Sequence, residues 1–143
     1  MIHAITIQEL RTATKKVSPK IVQARELQFN RAAIDHNLVD ILVLPALTKT
    51  EDKLKYLDTG LNQIAVTSAA KNKVMIGIDM AALRKLTTIE LGDTLARLKQ
   101  TLECCKKTTV KLAYTNAYTS EGAQALLRLL GVPTKTVAQA ISF

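Results

Sequence analysis

Two histidines, two cysteines and a dozen carboxylates are the residues of this 143-residue chain best suited to ligating a metal. Their spacing decides what they could do. His3 and His36 are 33 residues apart, one in the N-terminal segment and one at the end of an expected helix. A hydrolytic metal site needs several His and carboxylate ligands converging at the C-terminal ends of strands, where they activate water. Asp79 and Asn116 occupy the C-terminal ends of expected strands, but a single carboxylate holds no metal; Asp79 reads as the cap of the turn that starts at Met80. Cys104 and Cys105 are adjacent. Neighbours on a helix point in different directions, which suits neither a zinc site nor a structural disulfide, so they read as helix-packing residues in a reducing compartment. Gly60 and Gly92 stand alone, so no glycine-rich phosphate cradle is present, and no serine, cysteine or lysine sits in a nucleophile motif.

Basic residues remain. Lys and Arg number 20 against 12 acids, a net charge of +8 with pI near 9.7. Such a balance favours an anionic partner, nucleic acid being the commonest, although a merely basic surface has the same composition. Aromatics make up 3% and Trp is absent, which argues against stacking of bases on an aromatic platform. Contacts to phosphate oxygens are what these side chains can supply. The candidates are Arg25 and Arg31 near the exit of an early strand, Lys53 and Lys55 in a polar loop, Arg84 and Lys85 past a later strand, and Arg97 and Lys99 on a long helix. The loop residues are the stronger ones, because loops at one end of a parallel sheet share a face. Helix lysines more often form a solvated face, and Arg11, Lys15 and Lys16 read as the outer side of the first helix.

The elements that must hold these residues follow from periodicity. Strands are expected at residues 4–7, 20–23, 39–44, 73–79 and 109–114. Helices are expected at 8–17, 27–36, 61–71, 88–107, 121–130 and 133–141, with a short turn or helix at 80–85. The run 39–44 is almost wholly aliphatic and closes on Pro45, as a strand buried on both faces does. Leu91, Leu95, Leu98 and Leu102 give the long helix an apolar stripe. Residues 48–57 read as a loop. Alternation of strand and helix implies a parallel sheet with right-handed crossovers in a single domain, residues 1–143. Hydrophobic residues at 48% suffice for an aliphatic core. The opening apolar stretch is too short for a signal peptide and no run approaches a membrane span, so a soluble, cytoplasmic protein is expected.

Four groups of segments stand out in this order. Glu9-Leu10-Arg11 opens the first helix. Asn30-Arg31-Ala32-Ala33 lies in the next helix and Val39-Asp40-Ile41-Leu42 in the strand after it. Asp58-Thr59-Gly60-Leu61-Asn62 is followed by Ala69-Ala70 and Asn72. Residues 95–107, Val110-Lys111-Leu112, Leu129-Leu130-Gly131 and Ala138-Gln139-Ala140-Ile141-Ser142 come last. By these segments the chain from Gln8 onward is similar to the ribonuclease P protein component 3 family, the archaeal counterpart of the thirty-kilodalton subunit of the eukaryotic enzyme; the third group matches the family's most specific motif and the fourth follows its last third. Three family turns are altered: arginine-glycine-glycine stands here as Gln23-Ala24-Arg25, serine-histidine-proline as Val43-Leu44-Pro45, and aspartate-alanine-histidine as Asn116-Ala117-Tyr118.

The resemblance implies a TIM-barrel-like fold. A full barrel takes about 200 to 250 residues. About five parallel strands with flanking helices therefore make an incomplete one, lacking the family's first two strand–helix units. The first and fifth strands would then have open edges, inviting self-association or cover by another chain or a terminal segment. The implied function is that of a ribonuclease P subunit without catalytic side chains. The RNA subunit would cleave the 5′ leader from precursor tRNA using magnesium, with no cofactor bound by the protein. The implied partners are the ribonuclease P RNA, precursor tRNA and protein component 2. Two other classes stay open on the residues alone: a metal-dependent phosphoesterase on a related barrel, and an interaction scaffold that binds no RNA.

Overall fold

The computed structural model describes residues 1–45, 59–115 and 119–143. Five strands, β1 (Ile21–Gln23), β2 (Ile41–Leu44), β3 (Met75–Ile78), β4 (Leu112–Tyr114) and β5 (Ile141–Ser142), form one sheet in the order β1-β2-β3-β4-β5. Every pairing is parallel. Among the described residues strand order follows chain order without reversal, unlike doubly wound sheets, which bind ligands where the order reverses. The connecting helices are α2 (Leu27–Asp35), α3 (Gln63–Lys71), α4 (Met80–Leu83), α5 (Thr88–Lys106), α6 (Ser120–Leu129) and α7 (Thr134–Ala138). Before β1 come α1 (Ile7–Ala13) and a 3₁₀ turn, Thr14–Lys16.

Alternation along the strands divides the sheet into two faces. Val22, Leu42, Leu44, Ile76, Ile78, Leu112 and Tyr114 point to the helices and join the main core with Leu10, Ile34, Val66, Leu102 and Leu127. On the other face Ile41, Val43 and Ala113 form a second, smaller cluster with Ile21, Met75 and Phe143. Helices on one face and sequential strands are the arrangement of an arc of barrel wall. Gly77 makes the inner face close: a Cβ there would meet Ile41 Cγ2 at 2.9 Å and Phe143 Cε1 at 3.3 Å.

Two expected elements are replaced. Residues 4–7 form no strand. Thr6 caps α1 instead: its hydroxyl accepts the Glu9 N–H, and Glu9 Oε2 accepts the N–H groups of Thr6 and Ile5. This reciprocal cap outweighs the weak alternation of so short a stretch. At the other end the helix expected over 133–141 stops at Ala138, and Ile141–Ser142 pairs with Ala113–Tyr114. Phe143 N–H adds a bond to the Tyr114 carbonyl at 3.0 Å. Sheet pairing here overrides a helix too short to be stable alone.

The edges change accordingly. β4 is an interior strand, covered by β5. β1 is partly covered by Ile2, which donates to the Ile21 carbonyl at 2.7 Å and accepts from Gln23 N–H at 3.2 Å. Terminal segments thus shorten both edges, a common way to limit strand addition.

Candidate nucleic-acid interface

The loops at the C-terminal ends of the strands are organised around one buried side chain, Asn30, on the first turns of α2. Its Oδ1 accepts the Arg25 N–H at 2.7 Å. Its Nδ2 donates to the Arg25 carbonyl at 2.5 Å and to the Gly60 carbonyl at 2.7 Å. One amide therefore ties the loop after β1 to the segment that enters α3. Gly60 has φ of +66°, and a Cβ on it would collide with the Arg25 carbonyl oxygen. Only glycine fits the angle and the contact together. Thr59, buried beside it, donates to the Leu61 carbonyl at 2.8 Å, and Asn62 caps α3 by accepting the Ala65 N–H at 2.9 Å. The Thr-Gly-Leu-Asn motif is thus a device for holding two loops in register.

Arg25 is half-buried on this frame. Arg97, on α5, is half-buried too and lines a small cleft with Leu44, Pro45, Thr59 and Thr94, so it lies at the exit of β2 beside the same motif. Arg84 and Lys85 are exposed just past α4. These four share the end of the sheet at which the sequence places the basic loops. Arg31 is exposed on α2 and ion-paired with Asp35 at 3.6 Å; Asp35 in turn accepts from Ser68 of α3. Lys99 lies exposed on α5. Lys53, Lys55 and Asp58 lie outside the described residues, as does the turn at Asn116.

The titratable side chains take other roles. Asp79 caps α4, accepting from Ala82 N–H at 3.0 Å and from the Thr115 hydroxyl at 3.3 Å, which joins the exits of β3 and β4. His3, expected away from any strand exit, is brought beside the end of β1 by the Ile2 bridge and hydrogen-bonds Gln23 Oε1 at 2.7 Å. His36 sits at the C-cap of α2. Among the described residues no three of His, Cys, Asp and Glu come together as a metal would require. Both thiols are free, and burial raises the pKa of each, that of Cys105 to about 12. A thiol so raised is protonated near neutrality and a poor nucleophile.

Asn30 and Gly60 carry no charge, and their weight could not be read from residue type. The available signal was an Asn inside an otherwise apolar helix face, which only a buried backbone partner explains.

Sequential parallel strands with helices on one face, and basic side chains at the strand exits, define an α/β protein whose sheet has the form of an arc of barrel wall. No family model matches the chain. It is 32% identical over 126 residues to ribonuclease P protein component 3 of Methanosarcina barkeri, covering 88% of this chain and 47% of that protein. It is 36% identical over 92 residues to the component 3 of Methanosarcina mazei, covering 64% and 35%. A chain from a cryo-EM structure of archaeal ribonuclease P with mature tRNA superposes with a TM-score of 0.76 at 22% identity, over 96% of this chain and 62% of that one, which establishes the shared fold. The chain belongs to the ribonuclease P protein component 3 family. It spans half or less of the length of the curated relatives it matches.

Proposed function

We propose that the chain is a non-catalytic protein subunit of archaeal ribonuclease P, the enzyme that removes 5′ leaders from precursor tRNA. The observation that carries this reading is the 32% identity to a component 3 across 88% of the chain. The side chains support it. Arg25, Arg84 and Lys85 stand at one end of the sheet, near loop contacts made by Asn30 and by the Asp79–Thr115 pair, and Arg97 reaches the same end from α5. Cations on rigid loops bind phosphate oxygens without reading sequence, and they neutralise backbone charge where RNA folds against itself. Cleavage would fall to the RNA subunit and its magnesium. The protein would stabilise the RNA's active shape together with component 2, for which the short β5 edge, with Ile141 exposed, is a contact candidate.

A phosphoesterase would have to recruit Asp79, whose carboxylate oxygen Oδ1 is already committed to Ala82 and Thr115. The test of the reading is a filter-binding titration with archaeal ribonuclease P RNA over rising salt. Saturable binding that weakens by about 0.7 to 0.9 log units per log unit of salt for each neutralised phosphate is expected. No binding at low salt would overturn it.

A further inference from the structure

The opposite end of the sheet carries a second concentration of charge. Arg11, Lys15 and Lys16 from α1 and its 3₁₀ turn, Lys20 from the entry to β1, and His36 from the cap of α2 line one cleft of about 760 Å³. Three separate elements converge there, and no carboxylate is among the lining residues. No ion pair engages these cations among the described residues, whereas Arg31 and Lys106 are held by Asp35 and Glu103. Lys20 Nζ makes a long contact of 3.4 Å to the Asn37 carbonyl.

The charge continues along the entries of the strands. The backbone ladder sets Lys20 beside Asp40, with Asp40 N–H on the Lys20 carbonyl at 2.9 Å, and Asp40 beside Met75, whose N–H reaches the Asp40 carbonyl at 2.9 Å. Ile76 N–H then reaches the Lys111 carbonyl at 3.0 Å. Neighbouring strands are about 4.8 Å apart, so Lys20 and Lys111 lie about 14 Å apart across three intervals. Lys73 and Lys111 together line a second hollow of about 330 Å³ at the entries of β3 and β4. Asp40 is the one acid in the row, and its carboxylate is occupied by the Lys20 N–H at 2.7 Å.

Cations at a helix C-terminus are ordinary, since they offset the helix dipole. That accounts for Arg11, Lys15 and Lys16, and for Lys73 just past the C-cap of α3, but not for Lys20 and Lys111, which enter strands. We propose that the strand-entry end of the sheet, from the Arg11–Lys15–Lys16–Lys20 cleft to Lys73 and Lys111, is a second binding track for the phosphodiester backbone of RNA. This rests on the subunit role proposed above and adds a face opposite to the basic loops. An RNA held at both ends of the sheet would clasp the protein rather than touch it on one side.

The test uses the full chain and fluorescein-labelled archaeal ribonuclease P RNA, with anisotropy read from about 50 to about 300 mM salt. A cleft variant, Lys15→Glu/Lys16→Glu/Lys20→Glu, is compared with a control of equal charge change on exposed helix surface, Lys71→Glu/Arg128→Glu/Lys135→Glu. The cleft variant should bind at least tenfold more weakly than the control. The magnitude of its salt slope should fall by about 2 to 3, the share of three phosphate contacts. If Lys20→Glu disturbs the entry to β1, Lys15→Ala/Lys16→Ala gives the same test, with a slope change of about 1.4 to 1.8. Equal losses in cleft and control variants would overturn the track while leaving the subunit reading intact. A wild-type chain that binds no RNA would overturn both. Wild-type binding displaced equally well by polyglutamate would make the cleft a site for acidic protein segments and would overturn the RNA track alone.

Discussion

Replacement of Asn30 by alanine should be among the most damaging single substitutions in this protein. Asn30 is fully buried and makes three hydrogen bonds, to Arg25 N–H, to the Arg25 carbonyl and to the Gly60 carbonyl. Alanine leaves all three backbone groups without that partner. A buried group so orphaned costs about 1 to 3 kcal/mol. Arg25 is half-buried, so water can recover part of the loss there, and about 1 kcal/mol for each of its two groups is reasonable. The Gly60 carbonyl meets its bond in a buried setting and adds about 1 to 2 kcal/mol. The sum is about 3 to 4 kcal/mol against a total stability of about 5 to 15 kcal/mol. In urea, with an m-value of about 2 kcal/mol/M, the midpoint should fall by about 1.5 to 2 M at unchanged slope. Asn30→Asp separates packing from hydrogen bonding. It keeps the acceptor for Arg25 N–H but turns an acceptor toward two carbonyls, and it should be no better than alanine near neutral pH. A midpoint shift below about 0.5 M for Asn30→Ala would show that Asn30 does not hold the loops, and would remove the stated reason for the rigidity of Arg25.

Other predictions concern glycine and cysteine. Gly92 lies exposed within α5, and a methyl group added there would have nothing within 4 Å, so Gly92→Ala should stabilise the fold by about 0.5 to 1 kcal/mol. Gly60→Ala should do the opposite by several-fold more, because its Cβ would collide with the Arg25 carbonyl; thermal melts of the pair check both signs. Burial raises the Cys105 thiol from 9.0 to about 12. The folded state then keeps a proton that the unfolded chain releases, so this contribution is complete below about pH 9 and is lost as pH rises toward 12. By pH 11 the loss is roughly 3 kcal/mol, and Cys105→Ala should flatten the difference between stabilities measured at pH 8 and pH 11. Mass spectrometry after iodoacetamide treatment should find Cys104 alkylated in the native protein and Cys105 only after unfolding, since Cys104 is partly exposed and Cys105 is buried.

The α/β alternation, the all-parallel sheet and most element boundaries were legible because the aliphatic runs at 41–44 and 75–78 and the leucine stripe of α5 leave little choice. The two ends depart from expectation for opposite reasons. At Thr6 a local cap was stronger than a four-residue alternation. At Ile141 a long-range pairing with β4, invisible to local pattern, set the strand. The strand-exit cations could be named in advance because loop positions follow from the element order. Their frame could not, since Asn30 and Gly60 act through contacts thirty residues apart. The basic cleft at the other end was legible only as outward lysines on α1; that Lys20 faces the same hollow depends on how the chain turns from α1 into β1.

The most direct test of the central claim is reconstituted cleavage of a labelled precursor tRNA at limiting magnesium. Four reactions are compared: this chain alone, archaeal ribonuclease P RNA alone, the RNA with component 2, and the RNA with component 2 and this chain. Leader removal should be absent with the chain alone and fastest in the complete mixture, and it should be unchanged there by Asp79→Asn. Cleavage by the chain alone that Asp79→Asn abolishes, or a complete mixture no faster than the RNA with component 2, would contradict a non-catalytic subunit of ribonuclease P.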